Sequence, residues 1–326
     1  MRIGRKIISS PTRRRFLQLT AATSAAALCG IRGASAAQHT HVWQGSALGA
    51  DATITLGGLE ANQAEALFEE SLGAISELES QFSLYREDSA LSRLNAGGRL
   101  ENPAPEFIEL LDVSKQISGA TSGAFDPTVQ PFWRLHISGR GGAEEIAAAK
   151  TLVDFRNVEW SAERVAFAQE GMAMTLNGIA QGFITDKIAG HLRAKGLTSV
   201  LVNLGEYRAI GAHPELRPWQ VGIQDPKIAN GLVGIVELQD EAVATSGAYG
   251  GRIGPHTETN HLFDPRSGQS ADRYLSVSVV HPSATIADGL STAFSFLSEE
   301  DIQNSLRAFE GARVLIVCAD GTLTRI

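Results

Sequence analysis

Asp288 and Thr292 stand four residues apart in a segment whose Leu290, Ala293, Phe294 and Leu297 keep a helical period, so a carboxylate and a hydroxyl share one helix face. With Ser291 beside them they are hard oxygen donors. Mg²⁺ takes a few such protein oxygens and fills its shell with water or phosphate. A carboxylate near a helix start is more often a cap, and the residues alone leave both readings open. Residues 261–268, HLFDPRSG, gather His261, Asp264 and Arg266 in a turn fixed by Pro265. An imidazole titrates near neutrality and suits a proton acceptor. An Asp–Arg pair around a proline is equally an ordinary turn device. Ala124, Phe125 and Asp126 open a second Asp-Pro turn, AFDPTV, in an apolar setting. There an aromatic ring beside a carboxylate suits a flat heterocycle, or simply faces a core. Residues 244–251, ATSGAYGG, offer small side chains and hydroxyls to a phosphate or sugar, or form a plain loop.

These groups need a frame. Residues 175–211 read as strand end, Gly turn, helix, Gly stop and strand. Phe183, Ile184, Ile188 and Leu192 give the helix one apolar face. Asn177 is placed to cap it, and Gly178 and Gly182 keep its first turn bare, so its N–H groups and partial positive charge are open to a phosphate. An ordinary helix–strand crossover has the same pattern. Further helices are expected at 60–82, 105–117, 143–152 and 286–297, with Ser89 capping a short one through Leu94. Residues 118–133 read as a Gly/Pro-punctuated loop, 139–142 as a hinge and 249–261 as a long Gly-rich loop. Strands are expected at 51–56, 199–204, 219–223, 232–238, 242–245, 274–280, 313–318 and 322–326, with a hairpin at 164–168 and 172–176. The alternation in 274–280 predicts one buried face. Short turns between strands imply an α+β chain with mixed or antiparallel sheets and packed helices. No G-x-G-x-x-G opens a helix after a strand, and no G-K-[ST] occurs.

The 326-residue chain carries a formal charge of −8. Its first 36 residues differ from the rest. Arg2, Arg5, Lys6 and Arg13 to Arg15 precede Phe16 and Leu17, then a weakly apolar Ala-rich stretch, then Ala34-Ser35-Ala36. This is the pattern of a twin-arginine export signal, 1–36, cleaved near Ala36–Ala37, with the mature protein, 37–326, in the periplasm. Removal takes away seven basic residues and no acidic one. The more acidic remainder argues against nucleic acid as a partner. Of the two cysteines, Cys29 leaves with the signal, so Cys318 has no internal disulfide partner and sits in an apolar run.

Order and spacing say more than any one motif. LYREDSALSRLN, TSGAFDPTVQPFW, NGIAQGFITDKIA with VNLGEYRAIG, ATSGAY, HLFDPRSG and ADGLSTAF together resemble the ApbE family of FAD:protein FMN transferases, from about Gly45 to the C-terminus. The resemblance implies an ApbE-like, T-fold-like α+β domain over 37–326. It implies Mg²⁺-dependent transfer of FMN from FAD to an acceptor threonine, with AMP released. By position, Ala180 (through its carbonyl), Asp288 and Thr292 would hold Mg²⁺. FAD contacts would fall on Leu48, Tyr85, Ala124, Phe125, Asp126, Asn177 and Leu262, and His261 would be the general base. The implied partners are FAD and an acceptor flavoprotein carrying an Asp-x-x-Ser/Thr-Gly-Ala-Thr type sequence. Twin-arginine export resembles the branch associated with nitrous oxide respiration, whose acceptor is a membrane-bound respiratory subunit. The chain's own Ser118 to Thr121, SGAT, has Lys115 where that acceptor sequence wants an acid, and reads as chance, with Thr121 beside the AFDPTV turn. Two departures stand out. Gln181 occupies a position where the family often has Lys, and Asn203-Leu204-Gly205-Glu206, followed by Tyr207, is one residue shorter than the family's Asn-x-Gly-Gly-Asp loop. The alternatives are an FAD pyrophosphatase yielding FMN and AMP, and a non-catalytic periplasmic flavin-binding or assembly protein.

Overall fold

The first described elements form a hairpin, β1 (Thr40–Ala47) and β2 (Ala50–Gly57). Leu48 and Gly49 turn it with φ of 54° and 79°, the pair of left-handed residues that matches the twist of two-residue hairpins. The computed structural model describes residues 40–139, 142–248 and 259–326. The expected export signal with its cleavage site, Arg140 and Gly141 of the expected hinge, and residues 249–258 of the Gly-rich loop lie outside the described residues. All that is described falls in one compact unit, Ala36–Ile326.

Helix α1 (Ala61–Phe82) starts at a capping box between Glu60 and Gln63 and buries Ala64, Ile75, Leu78 and Phe82. Helix α2 (Ala90–Gly97) is capped as expected, Ser89 Oγ accepting from Ser92 N at 3.0 Å. It runs past Leu94 to a left-handed Gly98. After β3 (Arg99–Glu101), α3 (Pro105–Ala120) absorbs the start of the segment expected to be a loop. Residues 127–129 then form a 3₁₀ turn that feeds α4 (Gln130–Ile137). Asp126 and Pro127 occupy the cap and first positions of that turn. An Asp-Pro pair there is a helix start, which explains why this Pro-marked segment is mostly helical. Helix α5 (Ala143–Lys150) precedes a second 3₁₀ turn (Phe155–Asn157), β4 (Val158–Trp160) and β5 (Arg164–Phe167). The expected hairpin of 164–168 with 172–176 is not formed. β5 pairs with β3 and β4 instead. The Asn95 carboxamide takes both backbone groups of Met174, accepting its N–H at 2.7 Å and donating to its carbonyl at 2.8 Å.

Then follow α6 (Ala180–Ala194), β6 (Ser199–Asn203), β7 (Tyr207–Gly211), β8 (Trp219–Gln224), β9 (Leu232–Leu238) and β10 (Ala242–Gly247). The chain ends with β11 (Tyr274–His281), α7 (Ala284–Phe294), α8 (Glu299–Leu306), β12 (Arg313–Cys318) and β13 (Leu323–Arg325). Among the described residues the main sheet has eight strands in the order β1-β2-β6-β7-β10-β11-β12-β13, every pairing antiparallel. The α+β reading therefore holds. Helices α6 and α7 add Phe183, Ile188, Leu290 and Phe294 to a core shared with Ile54, Val202 and Val277 of the sheet. The β8–β9 ribbon packs Trp219, Val221 and Leu238 against Ala209, Val243 and Val280. Both faces are thus covered, so β11 is buried along consecutive residues from Ser276 to His281 and not on one face only.

The seam between α6 and α7 positions the site. Asp186 of α6 accepts from Ser283 Oγ (2.7 Å), Ala284 N (2.9 Å), Thr285 N (2.9 Å) and Thr285 Oγ1 (2.8 Å). One carboxylate thereby satisfies the bare N–H groups that start α7. Arg208 Nε, 3.3 Å away, balances its charge. At Gly182 the helices are so close that a Cβ would lie 2.3 Å from Ala284 O and 2.7 Å from Asp288 Cβ. Gly182→Ala must therefore push α7 away. It is expected to cost about 2–3 kcal/mol in urea denaturation; a variant as stable as the parent would show that the helices give way freely.

Candidate functional site

Asp288 is not a cap. Ser283 caps α7, its Oγ accepting from Ile286 N at 3.3 Å, and Asp288 lies a turn further on, 4% exposed. Its Oδ2 accepts the Gly182 N–H at 2.9 Å. Burial pushes its carboxyl up to about 7. One turn later, Thr292 Oγ1 donates to Gly178 O at 3.3 Å and lies 3.3 Å from Ser246 Oγ of β10. Ser246 is also 2.8 Å from Ser291 Oγ, which donates to Asp288 O at 2.9 Å. Ala180, the first residue of α6 and buried, sits between Gly178 and Gly182, the two backbone points that touch Thr292 and Asp288. The structure thus brings Ala180, Asp288 and Thr292 to one seam, although Ala180 does not itself line the adjoining cavity.

That cavity, of about 320 Å³, is lined by Ala124, Phe125, Asp126, Asn177, His261, Leu262, Asp288 and Thr292 among others. Eight separately expected residues, spread over 169 positions from 124 to 292, therefore converge. Leu48 and Tyr85 do not reach its wall. Leu48 sits in the β1–β2 turn with its N–H on Glu79 Oε1, and Tyr85 is 79% exposed, though its neighbour Leu84 lines the cavity. Asn177 does not cap α6; Ile179 holds the cap position. The Asn177 N–H donates to Thr175 Oγ1 at 3.2 Å, and the residue stays exposed at the cavity.

Asp126 is a wall post more than an open acceptor. Its carboxylate accepts from Thr128 N, Thr128 Oγ1 and Phe155 N. Burial raises its carboxyl against the pull of those bonds. Thr121 is buried, its hydroxyl donating to Ile117 O at 2.8 Å and accepting from Phe125 N at 3.2 Å, so it fastens the AFDPTV turn to the end of α3. In HLFDPRSG the ordinary turn reading describes Asp264 and Arg266. Their side chains pair at 2.9 Å, and Arg266 Nη2 donates to Phe296 O at 3.1 Å, tying the turn to the end of α7. His261 is left as the chemical group, at the exposed rim of the cavity. The adjacent Asn260 is buried and pins the loop, donating to Ala271 O at 2.7 Å and accepting from Leu262 N at 3.0 Å.

Sequence reasoning passed over Glu206. It lies in the tight turn between β6 and β7, 7% exposed, with Oε2 accepting from Thr245 N at 3.1 Å, and it lines the same cavity. Burial first, and the charge of Asp288 second, push its carboxyl well above the usual range. Among the described residues the lining includes three carboxylates, Asp126, Glu206 and Asp288, and neither Lys nor Arg. Two buried acids, a hydroxyl and helix-start carbonyls form a hard-oxygen donor set, which fits a divalent cation such as Mg²⁺.

The raised Asp288 has a consequence for the metal-free protein. Its folded value of about 7 exceeds the ordinary 3.8, so the folded state holds the proton more tightly. The stabilisation is complete below about 4 and is lost as pH rises towards about 7. Melting of the chelator-treated, flavin-free protein is expected to fall over that window. Saturating Mg²⁺ should flatten the slope; a slope of opposite sign would contradict the burial of an uncompensated acid.

The ApbE family model matches residues 48–316. The FAD:protein FMN transferase of Treponema pallidum is 33% identical over 291 residues, which cover 80% of this chain and 79% of the relative. The flavinyl transferase ApbE of Pseudomonas stutzeri, in its apo form, superimposes with a TM-score of 0.75 at 29% identity, over 89% of this chain and 94% of that one. An ApbE protein from Thermotoga maritima gives a TM-score of 0.79 at 26% identity, over 88% and 97%.

Proposed function

The chain belongs to the ApbE family, and on that premise we propose that it is an FAD:protein FMN transferase whose cavity holds the FAD pyrophosphate beside a divalent cation. The observation that carries this reading is the pair of buried carboxylates, Asp288 and Glu206, on a cavity wall that, among the described residues, includes no Lys or Arg.

Ala180, Asp288 and Thr292 would hold Mg²⁺, which when bound offsets pyrophosphate charge and orients it for in-line attack. The chain's own residues do the rest. Gly182 N–H fixes the Asp288 carboxylate, and Ser246 and Gly178 fix the Thr292 hydroxyl. Phe125 and Leu262 give the cavity apolar walls for flavin or adenine, and Asn177 stands exposed at its edge. His261, at the rim, takes the proton of an acceptor threonine as its Oγ attacks the FMN phosphorus. The new Oγ–P bond replaces the bond from that phosphorus to the bridging pyrophosphate oxygen, which leaves with AMP. Incubation with FAD, Mg²⁺ and an acceptor domain bearing the Ser/Thr-Gly-Ala-Thr sequence tests this. The expected product is an acceptor that stays fluorescent in a denaturing gel; release of free FMN and AMP alone would instead assign a pyrophosphatase.

The basic, Ala-rich first 36 residues support export through the twin-arginine route to the periplasm, where the acceptor would be an exported or membrane-bound flavoprotein. Arg13→Lys with Arg14→Lys is expected to leave the protein in the cytoplasmic fraction; unchanged export would remove that part of the reading.

A further inference from the structure

We propose that Glu206 is itself a cation ligand of this cavity, joined with Asp288 in a two-carboxylate set that the neutral Gln181 leaves open to metal. This rests on the transferase reading for the presence of a cation and adds a ligand to it.

Glu206 and Asp288 come from distant parts of the chain, the β6–β7 turn and helix α7, and are both more than nine-tenths buried on the same wall. Each accepts one backbone N–H at one oxygen: Thr245 N on Glu206 Oε2, Gly182 N on Asp288 Oδ2. Among the described residues neither second oxygen accepts a hydrogen bond. Each group therefore keeps one oxygen to offer a ligand, and a cation bound there would favour the ionised forms that burial disfavours. Two buried anions on one cavity wall need a positive charge between them.

Among the described residues no Lys or Arg of the lining supplies one. Gln181 is the side chain best placed to do so. It lines the cavity from the first turn of α6, and its Nε2 lies only 2.5 Å from where a Cβ on Gly205 would be, against the turn that carries Glu206. Its carboxamide carries no charge. The Glu206 anchor also belongs to the metal wall: Thr245 precedes Ser246, which lies 3.3 Å from Thr292 Oγ1. A cation seated at Asp288 and Thr292 therefore has Glu206 on its open flank.

Binding of Mn²⁺ alone to the flavin-free protein, followed by electron paramagnetic resonance, tests the assignment without any turnover. Glu206→Gln keeps the side chain's shape and is expected to weaken Mn²⁺ binding by about tenfold or more, as loss of one charged ligand does. Gln181→Lys, which places an ammonium beside an intact Glu206, should weaken it too. Near-UV circular dichroism checks that both variants keep their packing. If both folded variants bind Mn²⁺ within about twofold of the parent, Glu206 is no ligand and the inference falls. Asp288→Asn separates the two levels. Should it alone lose Mn²⁺, the transferase site stands without Glu206; should it too bind normally, the cation site itself is misplaced.

Discussion

Asp288→Asn is expected to lower the rate of FMN transfer by about three orders of magnitude or more, with the protein still folded. The substitution keeps an oxygen to accept the Gly182 N–H, the bond that joins α7 to the first turn of α6, so no buried donor is orphaned. What goes is the charge. A metal's contribution to the transition state is several kcal/mol, and about 1.4 kcal/mol is a factor of ten in rate. Removing a buried anion that, among the described residues, no Lys or Arg of the cavity wall compensates should also raise the stability of the metal-free protein, or leave it unchanged. Single-turnover flavinylation of an acceptor domain, with a urea melt of the same sample, reads both effects. A variant that kept a tenth of the parent rate would show that the reaction does not depend on this carboxylate.

His261→Ala is the second large effect. It is expected to slow transfer by about 10²–10⁴-fold while FAD affinity changes only a few-fold. His261 stands at the exposed rim of the cavity and not at its buried wall. The loop around it is held by Asn260 and by the Asp264–Arg266 pair, whose bonds do not involve the imidazole. Removing the ring therefore leaves the loop's anchors in place. Flavin-fluorescence quenching measures FAD binding, and gel fluorescence measures transfer. Equal loss of both would make His261 a binding residue; loss of neither would remove it from the reaction.

Much of this site was legible because it is local. Asp288 and Thr292 sit at helical spacing, Ser89 caps α2 within three residues, and α1 declares its apolar face over 22 residues. The family resemblance then joined pieces that spacing alone leaves apart, and eight of its eleven site residues line one cavity. What escaped was decided at long range. The cap of α7 is shared between Ser283 and Asp186, which lies 97 positions away. The Asn95 side chain replaces a strand partner for Met174 from 79 positions away. β11 looks like a one-sided strand until the β8–β9 ribbon covers its other face. Glu206 reads in sequence as a charge in a tight turn. Only the pairing of β7 with β10 sets it beside Thr245 and sinks it next to Asp288.

The most direct measurement is the mass of an acceptor flavoprotein co-expressed with this chain, mapped to the residue. The expected mass is that of FMN joined through a phosphoester to the final threonine of the Ser/Thr-Gly-Ala-Thr sequence. That adduct should be absent when the chain carries Asp288→Asn. An unmodified acceptor, produced alongside active chain that turns FAD into free FMN and AMP, would contradict it.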